Sequence, residues 1–401
     1  MAKLGLIREG KTPADGRVAF TPAQAASVKD RFDVEIIAQS SEVRSFKDQE
    51  YENIGIPVKN DLGDCDILMG IKEVPLDQLL DNKTYFFFSH TIKKQPYNQK
   101  LLQKILEKNI TLIDYECLKN QSGQRLVAFG RYAGIVGAYN GIYAFGLRSG
   151  LFNLRRANQC FDMSDLRTEY QKVKLPPIKI AVTGSGRVAK GAMEVLDEMN
   201  IKKISVEEYL NKAAFEPCYV QLGVKSYHKT KDGSVFHVQD FYDNPSKFES
   251  NFSRFLPHTD LLISAAYWDP SAPRLFESEE MAKPGFKIKV IADITCDING
   301  SIPSTQKAST IDEPLYDYNP LGNSIEPPLS GEKNITVMAI DNLPSELPRD
   351  SSQDFGNQLI RQIMPALLIK DEQWIIKRAT ITKGGELTEY YRYLQDYVEG
   401  E

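Results

Sequence analysis

Residues 178–199, IKIAVTGSGRVAKGAMEVLDEM, constrain what this chain can fold into more than any other stretch. Ile178, Ile180, Ala181 and Val182 form a short apolar run that reads as a buried strand. Gly184, Gly186 and Ala189 follow at the spacing G-x-G-x-x-A, and Ala189, Ala192, Met193, Leu196 and Met199 then recur with helical period. Strand, tight turn and helix in that order are the context that makes a glycine motif informative. Gly184 permits the turn, Gly186 lets backbone approach a pyrophosphate, and Ala189 keeps the helix close to the strand. The first helical turn, headed by Arg187, offers free N–H groups to the anion. The competing reading is a plain strand-to-helix turn in some other α/β domain.

With 401 residues the chain has length for two domains, each with its own core. The formal net charge of −5 argues against a nucleic-acid partner. No apolar run approaches the length of a membrane span, and charges at Lys3, Arg8 and Lys11 interrupt any secretory signal at the start. Cys65, Cys117, Cys160, Cys218 and Cys296 lack CxxC spacing, which suggests reduced thiols in a cytoplasm. His90, His228, His237 and His258 form no HExxH motif, so no metal site is expected.

Residues 1–130 read as an α/β unit. Strands are expected at 4–7, 34–38, 66–70, 84–88 and 110–113. A helix is expected at 21–31, capped by Thr21 with Pro22 in its first turn. Strands alternating with helices imply a parallel sheet. Polar groups follow the strands: Arg8, Lys11 and Arg17, then Lys72 and Glu73, then His90, then Asp114 and Glu116. Ligands of open parallel sheets bind at the carboxyl ends of strands, so these side chains would share one crevice. Residues 125–150 read as a strand that becomes a long helix, whose Gly and Ala residues suit close packing. Residues 153–177 read as a loop or linker.

After the glycine turn, residues 204–206 are the natural second strand, and Glu207 lies near the position of a carboxylate that binds the ribose of NAD. Two solvated glutamates opening a helix read equally well. KTKDGSVFHV (229–238) is hairpin-like around Asp232-Gly233. A strand at 260–265 would bring Tyr267 and Trp268 beside a bound dinucleotide, and a strand at 289–293 would present Asp293 and Asp297 at its exit. Residues 313–333, rich in Pro, Gly and Asn, read as a loop. A last strand at 335–340 leads into Asp341-Asn342, and helix is expected at 353–368 and in the tail.

YFFFSHTIKKQPYNQKLLQKILEKNITLIDYE (85–116) resembles the first lobe of the lysine-forming saccharopine dehydrogenases, and most closely the lysine–2-oxoglutarate reductase half of aminoadipate-semialdehyde synthase. IREGKTPADGRVAFTP (7–22), GIKEVP (70–75), RLVAFGRYAG (125–134), TGSGRVAKGA (183–192), IADITCDINGSI (291–302) and IDNLPSELPRDSSQDFG (340–356) extend the resemblance over most of the chain. The wider superfamily is that of alanine dehydrogenase and pyridine nucleotide transhydrogenase. It implies two Rossmann-like lobes with parallel sheets and a cleft between them, the first lobe discontinuous in sequence. Residues 1–136 and 352–401 would form the substrate-binding, catalytic lobe and 137–351 the dinucleotide-binding lobe.

The resemblance implies an NAD(P)-dependent oxidoreductase acting on CH–NH groups, joining L-lysine and 2-oxoglutarate reductively or running the reverse. By the matching motifs, Lys72 and His90 are acid–base groups, Lys11 and Arg17 lie at the active site, and Asp297 aligns with a catalytic aspartate of alanine dehydrogenase. Asp341 and Asn342 would border the nicotinamide. Glu116 is placed to tune the acid–base pair, and Arg131 is grouped with the substrate-binding residues. A lysine acts as a base near neutral pH only when desolvation or a neighbouring cation lowers its pKa. The expected partners are an amino acid and a 2-oxo acid. NAD is slightly preferred over NADP because Glu207 or Glu208 would repel a 2′-phosphate. An alanine-dehydrogenase-like enzyme using ammonia and a non-catalytic dinucleotide-binding protein are the alternatives.

Overall fold

The computed structural model describes residues 2–400. They divide into two compact units, one running up to Phe129 and resuming at Pro348, the other spanning Gly130–Leu347. Each carries one eight-stranded sheet.

In the first unit, β1 (Lys3–Leu6), β2 (Glu35–Gln39), β3 (Val58–Lys59), β4 (Ile67–Met69), β5 (Thr84–Phe87) and β6 (Thr111–Asp114) run parallel. Two late strands, β17 (Thr380–Lys383) and β18 (Glu386–Leu387), extend the sheet antiparallel beyond β6, giving the order β18-β17-β6-β5-β4-β1-β2-β3. Because β1 has β2 on one side and β4 on the other, the chain reverses its direction of winding between β1 and β4. Such switch points leave a crevice at the carboxyl ends. Leu4, Leu6, Leu68, Phe86, Phe87 and Leu112 are buried, as expected of strands covered on both faces. The helix Pro22–Phe32 starts where expected. Its Thr21–Gln24 capping box satisfies two N–H groups that the first turn would otherwise leave open.

In the second unit, β7 (Lys179–Thr183), β8 (Lys202–Lys203), β9 (Cys218–Leu222), β12 (Leu261–Ser264), β13 (Val290–Asp293) and β16 (Ile335–Met338) are parallel, with β14 (Tyr316–Asn319) and β15 (Ser324–Glu326) antiparallel at one edge. The order is β15-β14-β16-β13-β12-β7-β9-β8. A separate ribbon pairs β10 (His228–Thr230) with β11 (Phe248–Ser250).

Several sequence expectations change. Residues 204–206 do not form the second strand. Ser205 caps the helix Val206–Asn211 in a capping box with Glu208, and β9 takes the place beside β7. The stretch 313–333 contains the β14–β15 hairpin, because Tyr316 and Tyr318 are buried and Asp317 is anchored by Thr336 Oγ1 at 2.8 Å. Within 153–177, Asp162 caps a helix at Met163–Tyr170. Residues 125–129 form no strand beyond a single bridge of Arg125 to Lys119, and Leu126 bonds back to the Leu118 carbonyl. Asp232-Gly233 does turn the chain, but β10 pairs with β11 rather than with residues 235–238, where a helix begins at Val238. The tail adds strands as well as helix.

The long helix Gly130–Ser149 lies against the helix Arg187–Glu198 at a distance only glycine allows. A Cβ added at Gly134 would meet the Val188 carbonyl oxygen at 1.9 Å, and one at Gly191 would meet the Arg131 carbonyl oxygen at 2.0 Å. Both obstacles are backbone, so the helices would have to separate. Gly191→Ala is expected to destabilise the protein by roughly 1–3 kcal/mol despite its better helix propensity, measured by urea unfolding. Gly223→Ala, where an added Cβ meets nothing within 4 Å, should change stability by under about 0.5 kcal/mol.

Candidate functional site

The carboxyl edge of the first sheet gathers the segments that leave β1, β4, β5 and β6. Glu73, 7% exposed, is their hub: one carboxylate oxygen accepts from Lys11 Nζ at 2.7 Å and the other meets His90 Nδ1 at 2.7 Å. Burial alone would raise its pKa, but the bonds from His90 and Lys11 outweigh that and bring it down to about 2. An ionised Glu73 can only accept, so a proton sits on His90 Nδ1 facing it.

The backbone of His90 is left-handed, with φ of 55°. A non-glycine residue holds that conformation only when its surroundings impose it. Here Ser89 donates to Asp114 from both its N–H (2.9 Å) and its hydroxyl (2.5 Å), and Asp114 also accepts from the Glu116 N–H at 2.7 Å. Asp114 is fully buried, and burial raises its pKa. The Phe88 ring stacks on His90 at 6.4 Å.

Lys72 follows β4 and is half-buried. Its backbone N–H and that of Ile71 donate to the two oxygens of Glu9, at 2.8 and 2.6 Å. Burial, followed by the nearby charge of Asp15, raises the Glu9 carboxyl to about 8. Arg17, 3% exposed, makes a two-pronged contact with Asp15 at 2.9 and 2.6 Å and lies 4.3 Å from the centre of the Phe129 ring. Phe129 in turn stacks on Phe355 at 4.4 Å, which ties the late helix Pro348–Gln362 to this edge. Glu116 pairs with Lys93 at 3.4 Å and with Arg125 at 3.3 Å.

Lys11, Arg17, Lys72, His90 and Glu116 all lie on the segments leaving these strands. Glu9, Glu73 and Asp15 complete the hydrogen bonding there, although the sequence reading did not select them as site residues. The acidic residue beside each basic one, in REGK, ADGR and IKEV, was the available signal. Arg131 belongs to the other unit. It opens the helix Gly130–Ser149 in the second unit and grips Glu194 through Nε at 2.9 Å and Nη2 at 2.5 Å, an ion pair between two helices of that unit.

In the second unit Gly184 turns the chain after β7 with φ of 97°, and a Cβ there would meet the Ala265 carbonyl oxygen at 2.9 Å. Gly186 caps the helix Arg187–Glu198, and a Cβ there would meet nothing. Its backbone borders open space at the positive end of a three-turn helix, with Arg187 exposed and Ala189 fully buried. These residues fit a dinucleotide pyrophosphate.

Other residues expected around the dinucleotide have varied surroundings. Tyr267 is 86% exposed, whereas the Trp268 indole N–H donates to the Ala272 and Pro273 carbonyls at 3.2 and 3.3 Å. Asp341 is exposed, and Asn342, at φ of 66°, precedes the short helical turn Leu343–Glu346. Asp297 is half-buried, and burial raises its pKa. The fully buried carboxyl of Asp293 accepts from the Thr295 and Thr305 hydroxyls, each at 2.7 Å. It braces the loop after β13. Glu207 is reassigned: it is exposed in the first turn of Val206–Asn211, and the residues that follow the strand beside β7 are Gly223, Val224 and Lys225. Among the described residues, no group of three or more His, Cys, Asp or Glu is placed to hold a metal ion, and no helix is long and apolar enough to cross a membrane.

Because the pKa of Glu73 is depressed in the folded state, its stabilisation is present above its unfolded value, near 4.5, and is lost as pH falls toward about 2. The effect amounts to about 3 kcal/mol. Glu73→Gln should therefore flatten the acid limb of the stability curve between pH 5 and pH 2, followed by urea unfolding across that range.

Residues 5–136 match the family described as "Alanine dehydrogenase/PNT, N-terminal domain", and residues 167–390 match "Alanine dehydrogenase/PNT, C-terminal domain". The chain is 31% identical to the alpha-aminoadipic semialdehyde synthase of Arabidopsis thaliana over 98% of its own length and 41% of that protein's. It is 28% identical to the mitochondrial enzyme of the same name from Mus musculus, over 99% and 48%. It thus spans under half the length of these curated relatives. A protein of Emericella nidulans named saccharopine dehydrogenase [NAD(+), L-lysine-forming] is 26% identical over 92% of each chain. Among solved structures, an L-alanine dehydrogenase shares the fold with a TM-score of 0.65 at 15% identity, covering 99% of both chains. A transhydrogenase from Sinorhizobium meliloti does so with a TM-score of 0.59 at 14% identity, covering 96% of this chain and 98% of its own. Two Rossmann-like units, a glycine turn that fits a pyrophosphate and family matches across both halves agree: the chain belongs to the alanine dehydrogenase/PNT family.

Proposed function

We propose that the protein is an NAD(P)-dependent oxidoreductase acting on a CH–NH bond, a saccharopine dehydrogenase of the lysine-forming type. It would join L-lysine and 2-oxoglutarate reductively, or run the reverse reaction. The observation that carries this reading is the hydrogen-bonded chain Lys11–Glu73–His90, lying at the same sheet edge as Lys72. The likeness to proteins named for that reaction supports it.

Gly184 and Gly186 would hold the pyrophosphate of a nicotinamide dinucleotide, which would supply hydride exchange with the substrate carbon. The chain's own residues handle protons and charge. Imine formation needs a neutral amine and a proton to expel the keto oxygen as water. His90 Nε2 takes the proton of the amine, while Glu73 holds Nδ1–H and stabilises the imidazolium that forms. Lys72 gives a proton to the departing oxygen. Arg17 and Lys11, at the same edge, supply positive charge for the substrate carboxylates. The free thiols at all five cysteines support a reducing compartment such as the cytoplasm.

Lys72→Met and His90→Gln should each lower turnover of saccharopine by about 10²–10⁴-fold, measured as NAD⁺- or NADP⁺-dependent absorbance change. If folded, unaltered protein turns over neither saccharopine nor lysine with 2-oxoglutarate, the substrate assignment fails. The membership of the alanine dehydrogenase/PNT family favours a second reading, an amino acid dehydrogenase using ammonia. NADH oxidation that needs pyruvate and ammonium but ignores lysine would select it.

Lys225 rather than Glu207 stands just past the strand beside β7, and it is exposed. A cation at that position suits a 2′-phosphate. Lys225→Glu should therefore shift cofactor preference toward NADH by about tenfold or more, read as the ratio of kcat/KM for the two cofactors.

A further inference from the structure

At the amino end of the second unit's sheet, the end of β7 away from the glycine turn, lies an open pocket of about 390 Å³, in the range of small-molecule sites. The polar side chains that line it are Lys179, Asn211, Lys212, His258 and Lys287, and no carboxylate is among them. They come from separate segments. Lys179 opens β7, Lys212 follows the helix Val206–Asn211, His258 precedes β12 and Lys287 precedes β13. Three ammonium groups drawn together in this way repel one another unless negative charge lies among them.

Two of the lysines have carboxylates of their own. Lys287 meets Asp260 at 3.0 Å, and Lys212 meets Glu208 at 3.0 Å. Lys179 has none. It is 5% exposed, and its ammonium donates to the main-chain carbonyls of Tyr209 and Lys212, each at 2.5 Å. Those two bonds cap the end of the helix Val206–Asn211 and use two of the three N–H donors. The face of the Tyr209 ring, 5.3 Å away, offers only partial negative charge. One N–H and most of the positive charge are left unmatched, which is costly in a buried group. Burial above all lowers the Lys179 pKa, and the Lys287 charge adds to that. His258 is held down as well, by burial and then by the charges of Lys179 and Lys287. The field inside the pocket is therefore positive.

We infer that this pocket binds a phosphate dianion, free or as the end group of a small phosphorylated metabolite, with Lys179 at its base. The anion takes the third Lys179 N–H and lies among the Lys212 and Lys287 charges. Lysine ammoniums act as point charges that suit a rounded tetrahedral phosphate, and no arginine fork lines the pocket to select a planar carboxylate. Pro177, Leu210 and Pro257 complete the wall with apolar surface, which leaves room for an organic remainder. A ligand here ties the end of the helix Val206–Asn211 to the segments that enter β12 and β13. The pocket is independent of the dinucleotide reading, because it occupies the other end of β7.

Equilibrium dialysis of radiolabelled inorganic phosphate against the full chain tests this, at fixed ionic strength and with NADH present to fill the turn at Gly184–Gly186. The unaltered protein should retain the label. Lys179→Met should weaken retention about tenfold or more. Lys212→Gln removes an exposed side chain that the fold does not need, and should weaken it about threefold. NADH affinity, followed by nicotinamide fluorescence, should be the same with and without Lys212→Gln. Displacement of the label by glycerol 3-phosphate at lower concentration than by unlabelled phosphate supports the site with a phosphorylated metabolite as its ligand, and the reverse order supports it with the free ion. Phosphate that the unaltered protein does not retain overturns the inference. So does phosphate retained equally by both variants, or a Lys212→Gln loss that is matched by an equal loss of NADH affinity. A protein that binds no NADH removes the functional reading and leaves this site to be judged on the two lysine variants.

Discussion

The carboxylate of Glu73 organises the first unit's candidate site. A buried carboxylate is costly unless partners replace the water it has lost. Lys11 and His90 provide those partners, one on each oxygen. The same two bonds draw the segments that leave β1 and β5 toward the segment that leaves β4. The switch in winding between β1 and β4 makes this possible, because it opens the carboxyl edge where those segments emerge. His90 meets Glu73 from a left-handed backbone, and the Ser89–Asp114 knot holds it there.

A different constraint governs the second unit. The helices Gly130–Ser149 and Arg187–Glu198 approach until side chains no longer fit between their backbones, so glycine is required at Gly134 and Gly191. That contact presses the helix that follows the glycine turn against the body of the unit, and so fixes the direction of its N-terminus. The bidentate pair of Arg131 with Glu194 spans the same two helices. Asp293 acts in a similar way on the next loop, where its buried carboxyl is spent on two threonine hydroxyls.

Much of this architecture was legible in the residues. Apolar runs such as residues 84–88 and 178–182 marked buried parallel strands, and Thr21-Pro22 marked a helix start, because those signals are local. Some errors had local signals too. Ser205-Val-Glu-Glu208 is itself a capping-box pattern, and it turned the expected second strand into a helix. The β14–β15 hairpin was hidden by its prolines and glycines; its strands depend on burying Tyr316 and Tyr318 and on anchoring Asp317 to Thr336, and neither is visible in a window of sequence.

The sequence by itself determined the α/β class, the place of the glycine turn, and the set of basic residues that follow the first unit's strands. Periodicity, capping and turn chemistry act over a few residues, and they survive without knowledge of the fold. Tertiary structure alone decided the partners. It set Glu73 between Lys11 and His90, Glu9 beneath the Lys72 backbone, Arg131 on Glu194, and β9 instead of residues 204–206 beside β7. Those choices turn on strand order and on which buried charges find compensation, and both depend on residues far apart along the chain.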